Sequence, residues 1–190
     1  MIRRIATVAA FLAAAAALQA CAPLAVTAAA GGAMMISDRR SPGIYVEDEN
    51  IEWKFFALVR EGYPDSHINA TAFNRRVLLT GEAPTEEMKK KAEEAVRGIQ
   101  NVRDVVNELK VAGASSLTAR GNDALITSNV KARMVNNDSK FSVTNIKVLT
   151  EANVVYLMGL VKQSEGDAAA EVARTAQGVS RVVKVFEYIP

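Results

Sequence analysis

The 190-residue sequence predicts an α+β fold made of two tandem copies of one small module. The first observation behind this is a strand–helix–strand stretch that occurs twice. Val154–Glu187 gives VVYLMGLV, KQSEGDAAAEVARTAQ and GVSRVVKVFE, and Val77–Leu109 gives VLLTGEA, PTEEMKKKAEEAVRGIQ and NVRDVVNEL. Val77, Leu79 and Gly81 fall on Val155, Leu157 and Gly159; after the loss of one residue, Ala92, Ala95, Ile99, Val102 and Val105 fall on Ala169, Val172, Ala176, Val179 and Val182. A repeat of a whole supersecondary unit sets the domain count before any other inference. The second observation is a further helical stripe and hairpin ahead of each copy. The third is composition: 49% hydrophobic and 23% charged residues suit packed globular modules.

The chain divides into residues 1–20, a signal segment; 21–44, a tether; 45–112, the first module; and 117–190, the second. Residues 1–20 carry Arg3-Arg4, an apolar run from Ile5 to Leu18 and a small-residue exit, the three parts of a secretory signal. The run is short for a membrane-spanning helix of roughly 20 residues. Leu18-Gln19-Ala20-Cys21 resembles the bacterial lipobox, in which the cysteine is acylated and becomes the mature N-terminus. Cys21 is the only cysteine, so no disulfide framework is expected. Several acyl chains make a stable anchor where one alone binds marginally. Ala22 instead of Asp after the cysteine favours, by resemblance to sorting rules, transfer to the outer membrane. Without Arg3 and Arg4, the 23 basic residues fall to 21 against 21 acidic ones. That balance argues against nucleic acid as the main partner, which would want a basic face. Ala22–Ser37 reads as a tether, and Asp38–Gly43 as a turn into the folded part.

In the first module, Asp48-Glu49-Asn50 precedes a helix whose Ile51, Phe55, Leu58 and Val59 repeat at helical spacing. Its acidic start suits the helix dipole, and Gly62 and Pro64 stop it. Trp53 lies about 200° round from Ile51, off the core stripe, and faces either the other module or solvent. Ile68, Ala70 and Ala72, a turn at Asn74-Arg75, then Val77, Leu79 and Gly81 read as a hairpin. Pro84 with Glu86 and Glu87 opens a helix that buries Met88, Ala92, Ala95, Val96 and Ile99. Lys89-Lys90-Lys91 spread around that helix and read as a solvated face. Val102–Val111 is the closing strand, parallel to its partner through a right-handed crossover. The product is αββαβ: a three-stranded mixed sheet with two helices on one face.

After the short AGASS linker, Asn122 or Asp123 caps a helix to about Asn136, with Ile126, Val130 and Met134 inward. This helix has a second apolar line. Leu125, Ala132 and Val135 sit roughly 260°, 240° and 180° round from Ile126, with Arg120 and Lys131 flanking. Two-sided apolarity beside basic residues suits a surface that dips into anionic headgroups. Packing of that line on the first module fits the periodicity equally well. Val143–Leu149 and Val154–Val161 form the hairpin, Ser164-x-x-Asp167 reads as a capping box, and Gly178 as a C-cap.

Candidate chemistry is sparse. His67 is the only histidine, so neither a His-rich metal site nor a paired-histidine mechanism is expected, and no phosphate-loop, dinucleotide or HExxH motif occurs. No cofactor and no catalytic residue is assigned; a non-enzymatic role is expected.

The repeated Leu/Val-x-Gly strand, Ala-rich helix and Asn101-Val102-Arg103-Asp104-Val105-Val106-Asn107 strand resemble the BON domain. Gly178-Val179-Ser180-Arg181-Val182-Val183 matches too, with Lys184 in place of the last Asn. Two such domains behind a lipobox, with DRRSPGIYVEDENIE and GNDALITSNVKARM, are similar to the dual BON-domain outer-membrane lipoproteins of Gram-negative bacteria and to OsmY-like proteins. The resemblance implies a periplasm-facing protein that maintains envelope integrity and is associated with division. It also implies anionic phospholipid bound by the first helix of the second domain. Carried onto this chain, that points to Leu125, where the family pattern favours Trp, with Val130 and Val135; Ala132, Arg120 and Lys131 complete the expected surface. The alternative partner is a protein of the outer-membrane assembly or division machinery.

Overall fold

The computed structural model describes residues 38–63, 66–136 and 140–190. The signal segment, Cys21 and the tether to Ser37 therefore lie outside the described residues, as does Pro64.

Helix α1, Pro42–Gly62, starts earlier than its acidic residues suggest. Ser41 is its N-cap, accepting from Ile44 N, and Pro42 takes the first helical position, where its missing N–H costs nothing. The Asp48-Glu49 pair is thus mid-helix. Ile51 and Phe55 are buried as expected, but Leu58 is exposed. Strands β1 (His67–Phe73) and β2 (Arg76–Ala83) form an antiparallel hairpin. Helix α2, Glu86–Arg97, is capped by Thr85, so Pro84 sits just outside it.

The closing strand is broken into β3 (Asp104–Asn107) and β4 (Lys110–Val111), both parallel to β2. The break follows from Asn107. Its amide donates to Glu93 and to the Lys89 carbonyl on α2, while its Oδ1 accepts from Leu109 N and turns the chain aside.

The second copy repeats the order. Helix α3, Leu117–Val135, is capped by Ser116 and not by Asn122 or Asp123. A 3-10 turn leads into β5 (Ile146–Glu151), antiparallel to β6 (Val154–Val161). Helix α4, Gln163–Arg174, begins one position before the expected Ser164 cap: the Glu165 carboxylate accepts from Lys162 N at 2.7 Å. It ends at Arg174, and Gly178 lies beyond, at φ +86°. Ile126 side-chain carbons stand 3.0 Å from where a Cβ at Gly178 would be, so a side chain there would be crowded as well as strained. The matching Asn101 has φ +72°. Strand β7, Arg181–Tyr188, runs unbroken beside β6. Where Asn107 interrupts the first copy, Lys184 instead reaches Asp167 at 3.0 Å and leaves the strand straight.

Each copy has a helix-facing core. Ile51, Phe55, Val77, Leu79, Ala92 and Val96 fill the first, and Ile126, Val130, Met134, Val155, Leu157 and Ala169 the second. A third cluster joins the copies: Phe73 and Leu78 of the first sheet pack with Val154, Tyr156, Met158 and Val185 of the second. Successive strand residues point to opposite faces, so the two sheets meet back to back and the helices lie on the outside. The central strands are consequently buried along nearly their whole length. Burial in this seam pushes the Tyr156 hydroxyl up to about 12.

Polar contacts rim the seam. Lys147 pairs with Glu52 at 2.7 Å, Asn74 donates to Glu187, and Arg76 donates to the Phe186 carbonyl. Arg103 pairs with the same Glu187. Ahead of α1, Arg39 grips Glu165 of the second copy through two hydrogen bonds. Arg40 stacks over Phe73 at 3.9 Å while paired with Asp38 and Asp48.

Candidate functional site

Since the sheets consume each other's outer faces, α3 keeps its outward side free. Ile126, Val130 and Met134 point into the core at the spacing the periodicity predicts. On the opposite side Leu125 is 66% exposed and Val135 68% exposed, with Leu117 and Ala132 exposed on the same line. The first copy does not cover them. Val130 requires a correction: it is fully buried. At about 40° from Ile126 it belongs to the inner stripe, and it supports the outer line without joining it.

The flanking cations divide. Lys131 is exposed beside the line. Arg120 is half-buried, and its Nε donates to Ser115 Oγ at 3.2 Å, which ties it to the linker between the copies. Arg133, on the core side, donates to Thr175, the residue that caps the end of α4. The apolar line thus has one open cation beside it and a second held at the margin.

On α1 the corresponding outward side carries aromatics. Trp53 is exposed and meets Phe56 edge to face, ring centroids 6.1 Å apart. Glu49, Glu52, Ile68 and Ala70 line a shallow groove beside them. Trp53 faces outward and not into the other module. Sequence periodicity placed it off the core stripe but gave no signal for its pairing with Phe56.

A polar cluster that no motif announced lies between the copies. His67 at the head of β1 stands opposite Glu82 of β2, with Nδ1 3.1 Å from Glu82 Oε2. Glu151, at the end of β5 in the second copy, lies 3.6 Å from the same nitrogen. The predicted hairpin register sets His67 opposite Glu82, but no spacing signal brings Glu151 of the second copy to them.

Comparison with known proteins fits this architecture. The BON domain family model matches residues 48–113 and 122–190. The chain belongs to the BON domain family. It is 34% identical over 175 residues to outer membrane lipoprotein DolP of Haemophilus influenzae, covering 90% of each chain. It is likewise 34% identical to a 21 kDa hemolysin of Actinobacillus pleuropneumoniae, over 80% of this chain and 79% of that one. Osmotically-inducible protein Y of Escherichia coli is 26% identical over 80% of this chain and 77% of its own length. The protein is an outer-membrane lipoprotein with two BON domains, lipid-anchored and facing the periplasm. None of its described helices is long and apolar enough to cross a membrane.

Proposed function

We propose that this BON-domain lipoprotein is a non-enzymatic binding module that engages anionic phospholipid through the outer line of α3 and so helps maintain envelope integrity. Cys21, acylated, holds it to the inner leaflet of the outer membrane. Leu125, Ala132 and Val135 enter the headgroup boundary, and Lys131 with Arg120 attracts the phosphates, each cation contributing on the order of 1 kcal/mol near a charged surface. The observation that carries this reading is the exposure of Leu125 and Val135 on a helix whose other side is fully used in the core. A large apolar side chain left bare beside basic residues is what an interfacial helix presents.

The test uses protein lacking residues 1–21, so that acyl chains cannot bind vesicles by themselves. Sedimentation with phosphatidylglycerol vesicles is expected for this form and not for its Leu125→Glu variant, whose circular dichroism should match the parent. Undiminished binding by the variant would place the contact elsewhere.

The exposed Trp53–Phe56 pair favours a second reading, in which the first copy docks a protein of the envelope assembly or division machinery and lipid contact is incidental. Crosslinking to a protein partner, with no sedimentation on pure anionic vesicles, selects it.

A further inference from the structure

We infer that His67, Glu82 and Glu151 form a divalent-cation site, best matched to zinc, that clamps the two BON domains together. Each residue offers one donor atom, and the three atoms lie within 4.8 Å of one another. Two of the separations from His67 Nδ1 are 3.1 and 3.6 Å. Tetrahedral zinc with ligand bonds of roughly 2.0–2.2 Å needs donor atoms about 3.3–3.6 Å apart, so small side-chain adjustments close the set. Imidazole with carboxylates is a donor set that zinc accepts, whereas magnesium would want oxygen ligands and several waters.

Charge gives the second argument. The Glu82 and Glu151 side chains are only 7% and 9% exposed. Among the described residues neither is paired with a lysine or arginine. Two carboxylates facing one imidazole leave net negative charge in a poorly hydrated place, which is costly unless a cation neutralises it. A divalent ion bound to both carboxylates would neutralise that charge.

The surroundings already orient the donors. Ser115 N donates to Glu82 Oε2 at 3.1 Å, and Asn69 Nδ2 donates to Glu151 Oε2 at 3.3 Å. Asn69 Nδ2 also lies 3.1 Å from His67 Nε2. With a metal on Nδ1, that far nitrogen carries the proton, so the Asn69 amide would turn its oxygen to it and give up the bond to Glu151, whose carboxylate the ion then holds. Ser115 Oγ, 3.2 Å from Nδ1, marks the side from which a fourth ligand or a water would complete the shell. Arg120 hydrogen-bonds that hydroxyl and neither carboxylate. A cleft of about 450 Å³, with His67, Asn69, Thr127 and Glu151 in its walls, opens the site to solvent. Two ligands come from the first copy and one from the second, so a bound ion would resist any separation of the sheets.

The experiment uses the untagged full chain in detergent micelles, freed of metal by a chelator. His67 is the only histidine, which makes the imidazole contribution separable by one substitution. Titration with zinc is expected to give one equivalent bound, a raised Tm, and no comparable effect of magnesium. Cobalt in its place should give the intense visible absorption of a tetrahedral site. Glu151→Gln and His67→Gln, each checked for native circular dichroism, should each weaken zinc binding at least tenfold and abolish the Tm rise. Should either variant fold poorly, the cobalt spectrum of the parent still decides. Absence of zinc binding by the parent, an octahedral cobalt spectrum, or zinc binding unaffected by Glu151→Gln would each overturn the inference.

Discussion

Asp48 and Asp123 do the same job in the two copies, each closing a hairpin from a helix that precedes it. Asp48 accepts from Asn74 N and Arg75 N at 2.8 and 2.7 Å; Asp123 accepts from Ala152 N and Asn153 N at 2.9 and 2.8 Å. All four turn residues have positive φ, between 49° and 63°, the geometry of a two-residue hairpin turn matched to strand twist. Both carboxylates are buried. Asp123→Ala strands two turn N–H groups and should destabilise the fold by about 2–4 kcal/mol, since a hydrogen bond to a charged group contributes roughly 1.5–3. Urea unfolding of the two proteins measures it.

Gly81 and Gly159 explain the Leu/Val-x-Gly strand motif. A Cβ at Gly81 would stand 1.9 Å from the His67 carbonyl oxygen, and one at Gly159 2.5 Å from that of Asn145. Gly81 also has φ +105°. Either Gly→Ala change collides with backbone, which cannot swing away as a side chain can. Each should cost more than about 3 kcal/mol, Gly81→Ala the more, read as loss of folded protein in thermal scans.

Met158 and Leu78 meet in the seam between the sheets. Met158→Glu would bury an unpaired charge there, while the helix-facing cores of both copies stay intact. The expected result is two unfolding transitions where the parent shows one, with a larger radius of gyration in X-ray scattering. One undivided transition at nearly the parental temperature would mean that the seam contributes little to cohesion.

The repeat, the αββαβ order and the helix-facing cores were legible because period-2 and period-3.6 patterns record which face is buried. Helix starts were less so: Ser41 and Ser116 cap α1 and α3, while Asp48 and Asp123, acidic and near the apparent starts, hold turns instead. The seam left a sequence trace that the fold expectation did not use. VVYLMGLV lacks the alternation of a one-sided sheet, the mark of a strand covered on both faces. Val130 fell into two roles for a different reason: periodicity put it mid-stripe between Ile126 and Met134, and only the family resemblance added it to the outer line. The hairpin turn at Asn74-Arg75 already sets His67 opposite Glu82, but nothing in the sequence brings Glu151 to them.

Acid should loosen the grip of the N-terminal segment on the second copy. The Arg39 guanidinium, ahead of the Lys162 backbone N–H, holds the Glu165 carboxyl at about 2, against an ordinary 4.5. A carboxyl depressed in the folded state adds stability above its unfolded value and loses it as pH falls through the folded one. The contribution is therefore complete above about pH 5 and gone near pH 2. Since the pair is still partly solvated, it amounts to about 1 kcal/mol. Glu165→Gln should reduce stability at pH 7 and flatten its fall between pH 5 and 2, measured by thermal unfolding across that range.

Leu125 and Val130 separate contact from scaffold, because they sit five residues apart on one helix with opposite exposures. Val130→Ala deletes two buried carbons in a closed core and should cost about 2 kcal/mol of stability, from roughly 0.8 per methylene plus the cavity left behind. Leu125→Ala removes surface only, so stability should move by less than about 0.5 kcal/mol. Vesicle affinity should invert the order. Withdrawing a leucine from an apolar boundary forfeits about 1.5–3 kcal/mol, or roughly tenfold or more in binding. Val130→Ala, studied below its unfolding temperature, should bind like the parent. A variant pair that shifted affinity in proportion to stability would mean that vesicle binding reports folding and not a surface on α3.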